Sequence, residues 1–241
     1  MTNPTAAMLV IGDEILSGRT REANAYHLAL QLGRVGIDLR EIRVVPDEHA
    51  VIVAALHALR EAHTHVFTSG GIGPTHDDIT ADAVADAFGV GIGIRDDARE
   101  HLQAAVGPGR VLTPEHLRMA RIPDGAALIR NRISGAPGFS IGNVHVMAGV
   151  PEIFVAMLDE LLPDLETGRP VLSREVRFDV GEGRIAAPLR ELAAALPALS
   201  IGSYPFRDAT GFGTNIVVRG TDAALIDQAI DRLEEIRGAL A

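Results

Sequence analysis

Three short strand-like segments, each stopping at Gly or Pro and each followed by an amphipathic pattern, occupy the first ninety residues. "AMLVIG" (7–12) is continuously apolar, which suits a strand buried on both faces. Ala25, Leu28, Ala29 and Leu32 then recur at helical spacing, and Gly33 is placed to stop that helix. "LREIRVVP" and "THVFTS" read as further strands. Ile52, Ala55, Leu56 and Leu59 mark a helix between them, and Ala81, Val84, Ala85 and Phe88 another after them. Repeated strand–helix units of this kind predict an α/β fold, a mostly parallel sheet with helices on its faces.

Beyond residue 90 the pattern loosens. "DDAREHLQAAVG" and "TPEHLRMARI" read as helices around a Pro/Gly break at 107–109, and "GFSIGNVHVMAG" as a hairpin turning at Gly142-Asn143. Pro151 suits the first position of a helix running to about Leu162. The composition shift at "PDLETGRPVLS" predicts a linker, hence domains over 1–168 and 169–241. The second reads as strand (175–180), helix (185–196), two strands (200–205, 215–219) and helix (222–240), a small α+β βαββα unit.

Charge and composition narrow the function classes. A chain of 241 residues with 47% hydrophobic content can bury a sizeable core. Its formal net charge of −10 disfavours a broad electrostatic grip on nucleic acid or anionic lipid, and no Trp with two Tyr leaves few stacking platforms. The absence of Cys removes thiolate chemistry and fits a reducing compartment. "MTNPTAAMLVIG" lacks a basic segment, and its apolar run is too short for a signal peptide or membrane span. The expectation is a soluble cytoplasmic protein with neither nucleic acid nor membrane as partner.

The unusual residues follow the strands. The first runs into "GDEI" (Gly12, Asp13, Glu14), the second into Asp47, the third into "SGGIGPTHDDIT", and the hairpin into "AGVPE". Carboxyl ends of parallel strands form one rim, where ligands of open α/β sheets bind. A loop holding Gly70, Gly71 and Gly73 ahead of a helix can present consecutive N–H groups to an anion. It is neither a Walker A loop nor a G-x-G-x-x-G dinucleotide loop. Asp77 and Asp78 complicate it: one, Asp77, is expected only to cap the helix, while the other lies near the anion. Two unit charges about 4 Å apart repel by roughly 4 kcal/mol at an effective dielectric near 20. A divalent cation such as Mg²⁺ between carboxylate and phosphate reverses that sign.

"GDEILSG…EAN", "VPDE", "TSGGIGPTHDDIT", "NRISGAPGF" and "GVPE" occur in the order that resembles the MoaB/MogA-like molybdopterin-binding domain family, nearest the amino-terminal part of CinA-type proteins, over about residues 7–165. The resemblance implies a three-layer α/β/α sandwich whose rim binds a nucleotide or pterin phosphate. The tail, with "GEGRIAAPLRELAAAL" and "SIGSYPF", is similar to the small domain that follows in such proteins. The stretches that carry the resemblance do not extend to the nicotinamide-mononucleotide deamidase domain that CinA-type proteins often add. Matched position by position, Asp47 and Asp78 stand for the family's functional aspartates, as catalytic residues and metal ligands. Ligand binding falls to Gly12, Asp13, Glu14, Asn24, Ser69, Gly70, Gly71, Gly73, Pro74, Thr75, Thr80, Ser134, Gly135, Ala136 and Gly138. Where the family has "GTAPG" this chain has Ser134-Gly135-Ala136-Pro137-Gly138, and Glu22 replaces the Asp of "DTN".

His63 and His65 alternate toward one side of the third strand without a third ligand at a metal-binding spacing, and His76 reads as a solvated loop residue. The expected activity is metal-dependent hydrolysis of ADP-ribose or a related dinucleotide, with a divalent metal, and with molybdopterin as the alternative ligand, in a homo-oligomer, dimer or trimer. Molybdopterin binding or adenylylation, and a non-catalytic scaffold, use the same rim.

Overall fold

The computed structural model describes residues 3–107, 109–209 and 211–240. The chain divides into two compact units, Met1–Gly168 and Arg169–Ala241.

The first unit runs β1 (Thr5–Ile11), α1 (Asp13–Leu16), α2 (Asn24–Arg34), β2 (Asp38–Val45), α3 (His49–Ala62), β3 (His65–Ser69), α4 (Thr80–Phe88), β4 (Ile92–Ile94), α5 (Asp96–Val106), α6 (Pro114–Arg118), β5 (Arg121–Pro123), β6 (Ala127–Ile129), β7 (Gly138–Ile141), β8 (Val144–Met147) and α7 (Pro151–Leu161). Its main sheet has the order β2-β1-β3-β8-β7-β6. The first four are parallel, and β7 and β6 close one edge antiparallel.

Alternation along β1 builds three layers. Ala7, Leu9 and Ile11 pack with Ile52, Leu56 and Leu59 of α3 and Val84 of α4, while Ala6, Met8 and Val10 pack with Leu28 and Leu32 of α2 and Phe154 and Leu158 of α7. A strand with both faces covered has no place for a polar side chain, which is why its sequence is continuously apolar. The hairpin turns at Gly142-Asn143, where Gly142 has φ 55°.

Sequence and structure part company in the middle. "TPEHLRMARI" is helical only over α6, whose Thr113 and His116 form a capping box, and Arg121–Pro123 then pairs antiparallel with β4. Strands of three residues are too short for alternation to register. The predicted break at 107–109 includes Pro108, which lies outside the described residues.

The second unit is β9 (Leu172–Phe178), α8 (Glu182–Ala195), β10 (Ser200–Asp208), β11 (Gly211–Gly220) and α9 (Ala223–Leu240), with sheet order β10-β11-β9, antiparallel throughout. Val176, Phe178, Ile216 and Val218 from the sheet meet Ile185, Ile226 and Leu233 from the helices. Strand β10 runs past Pro205, where the sequence reading ended it; as an edge strand it tolerates a residue without an N–H. Among the described residues no helix is long and apolar enough to cross a membrane.

Candidate functional site

The parallel strands bring four connections to one rim: Gly12 after β1, Pro46-Asp47 after β2, Gly70 after β3 and Ala148-Gly149 after β8. They are tied together closely. The Gly12 amide donates to the Val45 carbonyl at 3.2 Å and the Gly70 amide to the Met147 carbonyl at 3.2 Å. A Cβ on Gly70 would overlap the Ile11 carbonyl, and one on Gly149 would lie 3.3 Å from Gly70 Cα, so these glycines serve close backbone approach.

The side chains of Asn24 and Ser69, expected at the ligand, meet each other in the interior. Both are buried, and Asn24 Nδ2 donates to Ser69 Oγ and to the Gly149 carbonyl, each at 2.8 Å. One side chain thus knits α2, β3 and the β8–α7 connection. Glu22, in place of the family's Asp, accepts from the Ala25 amide at 2.9 Å and caps the start of α2.

The glycine loop is shaped by Asp78. Its carboxylate accepts from the Gly73 amide at 2.6 Å, the Thr75 amide at 2.8 Å and the Thr75 hydroxyl at 2.5 Å. Thr80, fully buried, donates its hydroxyl to the Gly70 carbonyl at 3.0 Å and its amide to the Gly71 carbonyl at 3.0 Å. The amides of Gly70 and Gly73 are therefore taken; those of Gly71 and Ile72 have no hydrogen-bond partner among the described residues. Neither aspartate caps α4, whose N-cap is Ile79. Pro74 is exposed on the loop.

Asp47 occupies a different environment. Its carboxylate accepts from the Asp13 amide at 2.9 Å. Burial pushes its pKa up, the Asp13 amide pulls the other way, and the charges of Asp13, Glu14 and Asp77 push it up again. Asp77 is exposed, and its place beside the Thr75 side chain and its own backbone N–H holds its carboxyl below the ordinary range. The acid that shares a field with Asp47 is thus Asp77, while Asp78 faces its own loop.

Among the described residues no three of His, Asp and Glu converge as a metal-ligand set. A hydrated divalent ion would need only one or two carboxylates of this rim, with water and phosphate oxygens completing its shell. His63 pairs with Glu41 at 3.7 Å, and His76 is almost fully exposed.

The segment Ser134–Gly138 is organised by Asn131, a buried residue that sequence reasoning passed over. Asn131 Nδ2 donates to Ser134 Oγ at 2.6 Å and to the Ala136 carbonyl at 3.0 Å. Gly135 has φ 77°, and a Cβ on Gly138 would overlap the Val146 carbonyl. The Ser134 hydroxyl is thereby turned toward its own turn. Pro137 and Phe139 continue into a cleft shared with Gly71, Gly73, Asp78 and Arg118. Arg118, at the end of α6, is the second residue missed; within a helix-like pattern an arginine gives no signal that it faces a cleft.

Comparison with known proteins agrees with this architecture. Residues 7–167 match the family described as probable molybdopterin binding domain, and residues 170–238 the FAD synthase middle domain. A protein of Pyrobaculum aerophilum is 33% identical over 96% of this chain and 93% of its own. The probable FAD synthase of Caenorhabditis elegans is 30% identical over 96% of this chain, which spans only 50% of that protein. A CinA-like protein of Citrifermentans bemidjiense is 36% identical over 83% of this chain and 48% of its own. The crystal structure of CinA from Thermoplasma acidophilum superposes with a TM-score of 0.62 at 34% identity, covering 67% of this chain and 97% of that one. The chain belongs to the MoaB/MogA-like molybdopterin-binding domain family, among its CinA-like members.

Proposed function

We propose that this chain is a metal-dependent pyrophosphatase acting on ADP-ribose or a similar dinucleotide. The observation that carries the reading is the Asp47 carboxylate, part-buried and aligned by the Asp13 amide at 2.9 Å, on the rim that also carries the unpartnered Gly71 and Ile72 amides. Amides favour a phosphate; clustered carboxylates repel one unless a cation intervenes. A divalent ion, held by Asp77 with Asp13 or Glu14, would neutralise charge on the phosphates when bound. The Gly71 and Ile72 amides hold one phosphate, and Asp78 keeps their loop in shape. Asp47, aligned by the Asp13 amide and raised in pKa, orients the attacking water and takes its proton as the bond between the two phosphates breaks. The role expected for Asp78 passes in this reading to Asp77.

The match of residues 170–238 to the FAD synthase middle domain favours a second reading, in which the dinucleotide is FAD. Incubation of purified protein with ADP-ribose, FAD, or ATP with molybdopterin, each with Mg²⁺ or Mn²⁺, separates them. AMP with ribose 5-phosphate supports the first reading and AMP with FMN the second. ATP consumed only with the pterin indicates adenylylation, and inertness throughout indicates a binding protein; either result removes the hydrolase.

A further inference from the structure

We infer that Arg118 grips a phosphate group of the ligand in the cleft beside the glycine loop. The inference rests on the proposed phosphate ligand but not on its hydrolysis. Arg118 Nε is buried and has no hydrogen-bond partner among the described residues, and the guanidinium's contact with the Asp78 carbonyl, at 3.4 Å from Nη2, is long. Its neighbour in the cleft, Arg121, is in the opposite condition: its two terminal nitrogens donate to the two oxygens of Asp82 at 2.9 and 2.6 Å. One arginine there is neutralised by a protein carboxylate and the other is not, although a half-buried guanidinium with an unused donor calls for an anion.

The surroundings define the anion. Arg118 shares the cleft with Gly71 and Ile72, whose amides have no hydrogen-bond partner among the described residues, and with the apolar wall of Pro137 and Phe139. A planar fork of donors in one cleft with two residues whose amides are unpartnered suits the oxygens of a phosphate, and the apolar wall suits the organic part of a phosphate ester. None of the crowded acids Asp13, Glu14, Asp47 or Asp77 lines this cleft. Anion binding at Arg118 is accordingly separable from cation binding at the acids.

The test is calorimetric titration of the intact chain with AMP and with adenosine in metal-free buffer. The wild type should bind AMP more tightly than adenosine. Arg118→Gln should weaken AMP by about tenfold or more and leave adenosine unchanged, and Arg118→Lys, a point charge without the fork, should fall between. AMP affinity within about twofold of wild type in Arg118→Gln, or no preference of the wild type for AMP over adenosine, overturns the inference. Should Arg118→Gln fail to fold, Arg118→Lys carries the test alone: it must weaken AMP and spare adenosine. Arg118-dependent AMP binding in a protein that hydrolyses no dinucleotide would sink the pyrophosphatase reading and leave this one standing; hydrolysis with Arg118-independent binding would do the reverse.

Discussion

The Asp78 carboxylate lies 2.6 Å from the Gly73 amide and closes the glycine loop on itself. With both oxygens accepting from the loop, it acts on any ligand through loop shape. Asp78→Ala should therefore destabilise the loop, by on the order of 1–3 kcal/mol, and weaken AMP binding even without metal. Hydrogen exchange at Gly73 and Thr75, together with calorimetry in chelator, reads this directly. Metal-free binding that tightens in the variant would instead mark Asp78 as a charge facing the phosphate.

Gly71 combines φ +69° with a Cβ position that would overlap the Thr80 hydroxyl, whereas Gly89 has φ +65° and open space around it. Both substitutions to Ala incur the left-handed backbone penalty of about 1–2 kcal/mol. Gly71→Ala should lose a further ~1–3 kcal/mol, because Thr80 must release the Gly70 carbonyl. Urea denaturation of the two variants checks the difference. Equal losses would mean the loop yields freely.

Asp47 has a raised pKa in the folded chain, so the folded state binds its proton more tightly than the unfolded state does. Its ionisation is a destabilising contribution that appears as pH rises from the ordinary value near 3.8 through the raised one. Asp47→Asn should accordingly raise the melting temperature at pH 7, and the gain should disappear in acid below the ordinary value. A variant less stable than wild type at pH 7 would contradict the raised pKa that burial, with the neighbouring acids, gives Asp47.

His145 behaves oppositely. It is buried in the first unit with Nε2 3.3 Å from His65 Nδ1 and Nδ1 2.9 Å from Ser140 Oγ, while His65 Nε2 lies 3.1 Å from the Glu166 carbonyl. The Glu166 carbonyl can only accept, which makes His65 Nε2 a donor; with both rings neutral, His145 then donates to His65 and accepts from Ser140. Burial and the neighbouring His65 lower the His145 pKa from 6.5 to about 3. Its contribution to stability is present above 6.5 and lost as pH falls toward 3, with a slope of up to about 1.4 kcal/mol per pH unit. Chemical denaturation at pH 7 and pH 5 should show a shallower acid loss for His145→Gln than for wild type.

Buried side chains form separate clusters, two confined to residues 6–161 and one to 176–233. A chain truncated after Gly168 should therefore fold cooperatively, with the helical signal of the first unit and AMP affinity intact. Insoluble protein would show that the second unit completes the first.

The strand–helix units of the first ninety residues were legible because the doubly buried β1 is continuously apolar and the helices α2, α3 and α4 are amphipathic. The carboxyl-edge rim followed from that, and with it Gly12, Asp47 and Gly70 as neighbours. What could not be read was direction. Asn24 and Ser69 stand out as polar residues in apolar company, yet whether such groups face a ligand or each other depends on tertiary approach. Asp77 and Asp78 are adjacent in a loop without periodicity, so only the fold decides which turns inward. Arg118 and Asn131 depend on a segment whose three-residue strands leave no pattern.

The central claim is that the acids around Asp47, with Asp77 rather than Asp78 as partner, drive metal-dependent cleavage of a dinucleotide. The most direct measurement is the rate of AMP release from ADP-ribose, and in parallel from FAD, across Mg²⁺ concentrations for wild type, Asp47→Asn and Asp77→Asn. Asp47→Asn should lower kcat by about a hundredfold or more, and Asp77→Asn should raise the Mg²⁺ concentration needed for half-maximal rate, with AMP binding in chelator preserved in both. AMP release by Asp47→Asn at the wild-type rate, or by wild type in chelator as fast as with Mg²⁺, would contradict the account.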